Sequence, residues 1–390
     1  MLHLTEQWSR INSGSTHVAG LARMAKALED NFYWLGEPVE RIVLPPMAVV
    51  SDEGVASVQP LGECLRIRKR PDAALRVLLV GHYDTVYGEH HPFQVPYVDG
   101  GKLHGPGVAD LKGGLVVMLK ALEALEKSPF AEQIGWEVIL NPDEEIGSVG
   151  SDAVLKEAAG RAHLGLIFEP SLPDGTLAGA RKGSGNFTLV IRGKAAHAGR
   201  NPEEGRNALV AASVVAAELM ALNSARVGLS VNPARMVAGG ALNVVPDVAT
   251  LKWNIRIAKA EDEAWVMDRM EEIIAPYHEV NGFEAALSGH FTRAPKPMCA
   301  RNTALFEWVA SAGTMLGQEI AWRDTGGACD GNNLYKHGLA NVDTLGVRGG
   351  AIHSDGEFME MASAVERAQL AALLLMRLGA GDVPVGALRK

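Results

Sequence analysis

The stretch RVLLVGHYD (76–84) decides the predicted fold, because an uninterrupted apolar run leads directly into a histidine and an aspartate. A short, continuous apolar run is typical of a strand that is buried on both faces of a sheet. The runs WEVIL (136–140) and LGLIF (164–168) have the same character, and LKGGLVVMLKALEALEK (111–127) is apolar on a helical period. Strands that alternate with helices predict an α/β domain built on a mostly parallel sheet.

A second pattern begins near Gly185, where the predicted elements follow one another in the order βαββαβ. They are NFTLVIRGK (186–194), GRNALVAASVVAAELMAL (205–222), VGLSVNPARMV (227–237), ATLKWNIRIA (249–258), EDEAWVMDRMEEIIAPY (261–277) and FEAALSGHFT (283–292). This order is typical of the split, ferredoxin-like unit. We therefore expect residues 184–294 to form a domain inserted into a catalytic domain of residues 1–183 and 295–390.

Length, charge and cysteine content narrow the class of protein. A chain of 390 residues is long for one core and favours two domains. The net charge of −9 argues against a nucleic-acid or anionic-membrane binder, and a small-molecule or peptide partner is expected. The sequence lacks a signal-peptide pattern and a membrane-spanning apolar run, so we expect a cytoplasmic protein. Cys64, Cys299 and Cys329 are far apart, which argues against a disulfide framework or a thiolate zinc site.

Polar residues that follow the apolar runs are the candidate site residues, because ligands of open α/β sheets gather at the carboxyl ends of strands. They are His82 and Asp84 after the first run, the triplet Asp143, Glu144 and Glu145 in NPDEEIGS (141–148), and Glu169 after LGLIF, with Asp110 at the start of the long helix and His353 in a loop after a later strand. Two histidines and several carboxylates suit a divalent ion, zinc first. Asp84 lies two residues after His82 and can accept the free ring N–H of a metal-bound His82.

Each candidate also has a purely structural interpretation. His82 could be a hydrogen-bonded core histidine, Asp110 could cap the helix that begins at Leu111, and His353 could be an ordinary loop residue. The acidic triplet could be a solvated turn, and Glu169, before a proline, a turn acid. Singly these alternatives are reasonable, but together they require five coincidences at strand ends.

The order and spacing of these residues resemble those of the co-catalytic zinc exopeptidases and deacylases. This family includes glutamate carboxypeptidase, the branch that the chain resembles most, acetylornithine deacetylase and succinyl-diaminopimelate desuccinylase. The motifs that carry the resemblance are GHYDTV (81–86), GPGVADLKGG (105–114), NPDEEIGS (141–148), FEP (168–170), GKAAHAG (193–199), LNVVP (242–246) and IHSDGE (352–357). With the inserted domain they cover nearly the whole chain.

The resemblance implies a centre of two Zn²⁺ ions per chain, although the same ligands also hold Co²⁺ or Mn²⁺. In the implied arrangement Asp110 bridges the ions, His82 and Glu169 complete one ligand set, and Glu145 and His353 complete the other. Glu144 would be the general base, which takes a proton from the metal-bound water and passes it to the leaving amine. The family also leads us to expect a cis peptide bond between Asp110 and Leu111.

The resemblance also implies residues on the substrate side. The inserted domain would be a dimerisation and lid domain, whose His197 reaches the active site of the partner subunit in a homodimer and stabilises the oxyanion. Asn243 and Arg256 would bind the substrate carboxylate, for which the fork of an arginine is suited. The alternatives are a surface-loop histidine and a surface-strand arginine. Cys329, in the Gly-rich loop TGGACDGNN (325–333), departs from the family pattern and does not suit a nucleophile.

These features together predict a metal-dependent hydrolase that cleaves an amide bond next to a free carboxylate, as a glutamate carboxypeptidase does. The substrate would be a small peptide or an N-acyl amino acid. The alternatives are an N-acyl-amino-acid deacylase of the acetylornithine type and a dipeptidase or aminopeptidase. A catalytically silent binding homologue is disfavoured, because the base and the ligand set are complete. Asp143 has no predicted role beyond capping its turn.

Overall fold

The computed structural model describes residues 1–279 and 281–388. The described strands are β1 (Glu40–Val43), β2 (Met47–Val50), β3 (Ala56–Gln59), β4 (Glu63–Lys69), β5 (Leu75–His82), β6 (Tyr97–Asp99), β7 (Lys102–His104), β8 (Ile134–Asn141), β9 (Leu164–Ile167), β10 (Leu177–Arg181), β11 (Gly183–Arg192), β12 (Ser230–Ala238), β13 (Val248–Ile257), β14 (Glu284–Arg293), β15 (Trp322–Thr325), β16 (Asn341–Val342), β17 (Gly349–Gly350) and β18 (Phe358–Glu360). The described helices are α1 (Leu2–Ser9), α2 (Val18–Phe32), α3 (Lys112–Glu126), α4 (Asp152–Arg161), α5 (Ala208–Ala221), α6 (Glu261–Ile274), α7 (Ala300–Met315), α8 (Asp330–Lys336) and α9 (Ser363–Ala380). This part of the chain divides into two compact units.

Unit 1 contains residues up to Met47, Pro60–Arg181 and the chain from Lys296 onward. Among the described residues its central sheet has the strand order β1-β4-β8-β5-β9-β16, in which β8, β5, β9 and β16 run parallel. Along β5, Val77 and Leu79 pack into the core that includes α3 and α9, whereas Leu78 and Val80 pack into the core that includes α4. Burial on both faces explains why β5 is an uninterrupted apolar run. The predicted α/β class with a mostly parallel sheet is confirmed.

Unit 2 contains Ala48–Gln59 and Lys182–Pro295. Its elements β11, α5, β12, β13, α6 and β14 follow one another along the chain, and the described strands form an antiparallel sheet in the order β12-β13-β11-β14. Alternate residues of β13, among them Leu251, Trp253 and Ile255, are buried in one core with α5 and α6. This alternation is expected of a strand with one covered face. Among the described residues, β12 and β14 are the edge strands of this sheet.

The β2–β3 hairpin belongs to a different unit from the one predicted, since the sequence analysis assigned all of residues 1–183 to the catalytic domain. In the structure residues 48–59 belong to unit 2. Lys252 Nζ lies 3.0 Å from the Val50 carbonyl oxygen and 3.0 Å from Asp52 Oδ1, and Arg192 donates to the carbonyl of Gly54. The hairpin is therefore attached to the sheet of unit 2 by side chains that lie far away in the sequence.

The C-terminal helix α9 is amphipathic, with Leu370, Leu374 and Leu378 buried in the core of unit 1. Its charged residues Glu366 and Arg377 are only partly buried. Of the helices within residues 1–279 and 281–388, none is both long enough and apolar enough to span a bilayer.

Candidate metal centre

The parallel strands of unit 1 bring the predicted ligands to one edge of the central sheet. His82 is the last residue of β5, and it pairs in register with Asn141, the last residue of β8. Glu145 follows β8 by four residues, and Glu169 follows β9 by two. Because β5, β8 and β9 are parallel neighbours, the residues after them meet at the carboxyl edge of the sheet.

Asp110 lies between the two predicted histidine ligands. Its Oδ1 is 3.1 Å from His82 Nε2, and its Oδ2 is 3.3 Å from His353 Nε2. Each oxygen of one carboxylate therefore faces a different imidazole, which is the arrangement of a carboxylate that bridges two cations. The Asp110–Leu111 peptide bond is cis, as the sequence analysis expected.

A second carboxylate completes each half of the cluster. Glu169 Oε1 lies 3.8 Å from His82 Nε2, and Glu145 Oε2 lies 3.2 Å from His353 Nε2. A Zn²⁺ ion held tetrahedrally by nitrogen and oxygen at about 2.0–2.2 Å keeps its ligand atoms roughly 3.3–3.6 Å apart. The histidine-to-carboxylate distances of 3.1–3.8 Å lie close to that spacing. The ligand atoms of His82, Asp110 and Glu145, and those of His82, Glu144 and Glu169, also lie within 4.8 Å of one another, so the cluster fits divalent ions.

The charges of the cluster favour cation binding. Burial, followed by the charge of Asp110, raises the pKa of Glu145 to about 8, and the same causes raise the pKa of Glu169 well above its ordinary value. Burial also opposes ionisation of Asp110, but hydrogen bonds with His353 and His82 outweigh it and hold the Asp110 pKa well below its usual range. Hydrogen bonds to Asp110 and Glu145 raise the pKa of His353 to about 11. Bound cations would stabilise the ionised carboxylates and relieve this crowding of acids.

Glu144 also lies at the cluster, but its neighbours there differ from those of Glu145. One of its carboxylate oxygens, a nitrogen of His82 and an oxygen of Glu169 all lie within 4.8 Å of one another. The Glu144 side chain is half-buried, and its backbone N–H donates to Asp84 Oδ1 at 3.1 Å. The carboxylate is therefore close enough to reach a water molecule bound at the ions, and its role as the base stays a prediction.

Asp84 does more than the sequence analysis expected of it. His82 Nδ1 lies 3.1 Å from the backbone carbonyl oxygen of Asp84 and 3.3 Å from its Oδ1, and contacts of this kind fix the orientation of a metal-binding imidazole. The carboxylate oxygens of Asp84 also accept hydrogen bonds from the backbone N–H groups of Glu144 and Glu145, at 3.1 and 3.2 Å, and from the Ser15 hydroxyl at 2.7 Å. Asp84 thus links the segment that carries His82 to the segment that carries the acidic pair.

Asp143, the third acid of the triplet, is completely buried and points away from the histidines into its own turn. Its Oδ2 accepts from the backbone N–H groups of Gly150 and Ser151, and its Oδ1 accepts from the Ser151 hydroxyl at 2.6 Å. These bonds hold the turn that leads into α4, which agrees with the predicted capping role. Burial raises the pKa of Asp143 to about 6.

Glu357 is a buried acid of the site that sequence reasoning did not single out. It lies in the IHSDGE motif, four residues after His353, and accepts hydrogen bonds from the backbone N–H groups of Gly107, Ala109 and Asp110. The signal available in the sequence was a glutamate next to a predicted ligand loop. Its partners, about 250 positions away, could not be predicted from spacing.

The predicted substrate-side residues all lie in unit 2. His197 forms an isolated antiparallel bridge with Val244, and the N–H of Ala198 donates to the carbonyl of Asn243 at 3.0 Å, so His197 and Asn243 lie on adjacent segments. Both are exposed. Arg256 lies elsewhere, on β13, where it is partly buried and donates from Nε to Asn254 Oδ1 at 3.0 Å.

The predicted Gly-rich loop around Cys329 contains the end of a strand and the start of a helix. Part of it belongs to β15, and Cys329 is the N-cap of α8, with its sulfur accepting from the Gly331 N–H at 3.3 Å. Burial raises the pKa of the Cys329 thiol well above its ordinary value, which agrees with its exclusion as a nucleophile. Nearby, the buried Asp343 pairs with Arg181 and with Lys296 Nζ at 2.7 Å, a network that the sequence analysis missed.

Comparisons with known proteins agree on the family. The model of peptidase family M20/M25/M40 matches residues 78–377. Carboxypeptidase G2 of Pseudomonas sp. (strain RS-16) is 32% identical over 391 residues, covering 96% of this chain and 88% of that protein. Succinyl-diaminopimelate desuccinylase of Halorhodospira halophila is 29% identical over 304 residues, covering 73% of this chain and 78% of that protein. The structure of an M20 family metallo-carboxypeptidase from Sulfolobus solfataricus superposes with a TM-score of 0.75 at 16% identity and covers 97% of this chain and 99% of that chain, which shows a shared fold.

Proposed function

The chain belongs to peptidase family M20/M25/M40 and is a hydrolase that acts on amide bonds, and on that premise we propose that it is a dizinc carboxypeptidase of the glutamate carboxypeptidase type. The proposed reaction removes an amino acid with a free carboxylate by cleaving the amide bond beside that carboxylate. Its substrate would be a small peptide or an N-acyl amino acid. The similarity to Carboxypeptidase G2 over 96% of the chain supports this choice of branch.

The observation that carries the proposal is the position of Asp110 between two histidines. Because its oxygens lie 3.1 and 3.3 Å from different imidazoles, His82 with Glu169 and His353 with Glu145 form two donor sets that share one carboxylate. Two bound Zn²⁺ ions would polarise the substrate carbonyl and lower the pKa of a shared water toward ~7. Co²⁺ or Mn²⁺ would suit the same ligands.

The residues of the chain supply the proton transfers and the orientation in this proposal. Glu144 accepts the proton of the attacking water and delivers it to the leaving amine nitrogen. Asp84 fixes the ring of His82 and the backbone at Glu144, so that ligand and base keep their relative positions. His197 donates a hydrogen bond to the developing oxyanion, and Asn243 and Arg256 bind the carboxylate of the substrate.

We propose that the active form is a homodimer built through unit 2, as the role of His197 requires. One face of α5 is buried, but Val210, Val214 and Met220 on other faces are 53%, 41% and 55% exposed. The neighbouring strand β12 lies at the edge of its sheet and exposes Met236 and Val237. An apolar helix next to an open strand edge supports the docking of a second copy.

A matched substrate panel tests the proposed reaction. The panel contains dipeptides, N-aroyl and N-acyl glutamates, N-acetylornithine and N-succinyl-diaminopimelate, each also prepared with its carboxylate converted to an amide, and products are identified by mass spectrometry. The proposal predicts cleavage of peptides or N-acyl glutamates and refusal of the carboxamides. Preference for N-acetylornithine or the succinyl compound would instead indicate a deacylase, and a requirement for a free amine would indicate a dipeptidase or aminopeptidase.

A further inference from the structure

Glu357 holds the loop that carries the proposed bridging ligand. Its side chain is completely buried, and its Oε1 accepts from the N–H groups of Ala109 and Asp110 at 2.9 and 3.0 Å. Its Oε2 accepts from the N–H of Gly107 at 3.0 Å. A carboxylate that receives several backbone N–H groups fixes the main chain around them, and here that main chain carries Asp110.

Tyr87 joins the same glutamate to the loop that carries His353. Its hydroxyl lies 2.8 Å from Glu357 Oε2 and 2.8 Å from the carbonyl oxygen of Ser354, and its single proton is shared between these two acceptors. The Tyr87 side chain is buried, so water competes little for these bonds. Tyr87 therefore lies between a carboxylate that holds Asp110 and a carbonyl next to His353.

The loop around His353 requires such an attachment. Ala351 and His353 have φ values of 52° and 61°, in the left-handed region that is unfavourable for a non-glycine residue. The His353 side chain is 53% exposed, so packing does little to hold it. The loop is instead held by polar bonds, among them Tyr87 to the Ser354 carbonyl and Ser354 Oγ to the Ala351 carbonyl at 2.6 Å.

We propose that Glu357, through its backbone bonds and through Tyr87, is a positioning residue that sets the spacing between Asp110 and His353 for binding of the ion they share. This inference rests on the proposed two-metal centre and adds to it a residue that touches neither ion. Asp84 has the corresponding position on the other side, where it links His82 to the segment of Glu144 and Glu145. The alternative is that Glu357 only stabilises the fold of unit 1.

Two substitutions separate these alternatives. Glu357→Gln keeps the size of the side chain but places an NH₂ group where an N–H or a hydroxyl now donates. Loss of an indirect contact of this kind typically weakens metal binding 10–100-fold. Tyr87→Phe keeps the backbone bonds of Glu357 and removes the hydroxyl contacts with Glu357 and with Ser354, so it tests the coupling even if Glu357→Gln folds poorly. Tyr83→Phe is the matched control, because it removes a hydroxyl from another buried tyrosine, one that donates to the carbonyl of Glu63.

The measurement is titration of the metal-free protein with Zn²⁺ by calorimetry and with Co²⁺ by its visible absorption, together with the melting temperature of each metal-free variant. We expect Glu357→Gln to weaken binding of one ion 10–100-fold and Tyr87→Phe to weaken the same ion by a smaller factor, whereas Tyr83→Phe matches the wild type. We also expect the visible absorption spectrum of Co²⁺ bound at that position to differ between Glu357→Gln and the wild type.

If Glu357→Gln and Tyr87→Phe bind both ions as the wild type does, the inference is wrong, even where Glu357→Gln has a lower melting temperature. This outcome differs from failure of the proposed function, in which the wild type binds two ions but cleaves no member of the substrate panel. A wild type that takes up only one ion would overturn both.

Discussion

The substitution Glu144→Gln tests the division of roles between two adjacent glutamates. Gln has nearly the same shape as Glu but cannot accept a proton from water at neutral pH. The backbone N–H of residue 144 still donates to Asp84 in the variant, so the main chain and Glu145 keep their positions. The substitution therefore removes the proposed base and leaves the proposed ligands in place.

The expected loss follows from the position of the carboxylate. An oxygen of Glu144 lies within 4.8 Å of ligand atoms on His82 and Glu169, so it is placed beside the proposed ions, where a base that acts on their water is needed. General acid–base catalysis by one such group contributes about 10²–10⁴-fold, or roughly 3–5 kcal/mol of activation free energy. We expect kcat to fall by this factor, with the metal content near two ions per chain.

The assay combines initial rates on the best substrate of the panel with metal analysis of the purified variants. Glu145→Gln is the matched control, since the same chemical change one residue away removes a proposed ligand and should lower the metal content by one ion. The assignment of the base is refuted if Glu144→Gln keeps more than a tenth of the wild-type kcat. It is also refuted if Glu144→Gln loses an ion while Glu145→Gln keeps both, because the two roles would then be exchanged.

Three further outcomes are expected. Removal of metal with a chelator should abolish hydrolysis, and Zn²⁺, Co²⁺ or Mn²⁺ should restore it; full activity of a protein shown to be metal-free would contradict the proposed mechanism. Val214→Glu places a charge on the exposed face of α5 and should convert the proposed dimer into a folded monomer, as measured by analytical ultracentrifugation, whereas an unchanged mass would locate the interface elsewhere. Asp343→Asn leaves Arg181 and Lys296 buried beside a neutral side chain and should lower the free energy of unfolding by about 3–5 kcal/mol in urea denaturation at pH 7. Burial opposes ionisation of Asp343, but the charges of Arg181 and Lys296 outweigh it and lower the pKa of Asp343 to about 2. The contribution of Asp343 to the free energy of unfolding is therefore present above about pH 4 and is lost as the pH falls through about 2. A difference between wild type and variant that stays constant over this range would contradict the assignment.

The strands that position the site could be predicted because strands buried on both faces consist almost entirely of apolar residues. β5, β8 and β9 are buried on both faces and read as apolar runs, and the polar residue that ends each run lies at the sheet edge. The hairpin β2–β3 offered no such signal. Its strands are four residues long and contain no buried residue, and it is held by Lys252 and Arg192, which lie far along the chain. Attachment of this kind is a property of the folded structure and leaves no local pattern.

The same distinction divides the acids of the site. His82, Asp110 and Glu145 could be selected from position and residue type, because metal ligands are restricted to a few side chains. Glu357 and Asp343 could not, because a carboxylate that receives backbone N–H groups or pairs with buried cations has the same appearance in sequence as a solvated one. Their roles depend on contacts with partners between 47 and 250 positions away.

The crowding of acids at the carboxyl edge of the sheet follows from what each oxygen faces. The oxygens of Asp110, Glu145 and Glu169 face imidazole nitrogens at 3.1–3.8 Å, which is the environment of a cation site. Those of Asp84 and Glu357 mainly face backbone N–H groups, so their charge is stabilised by the peptide dipoles whose positions they fix. Since the ligand segments come from distant parts of the chain, ligands alone would not keep their spacing before metal binds. In this proposal Asp84 and Glu357, which bind the protein backbone and not the metal, keep the ligand carboxylates in position before metal binds.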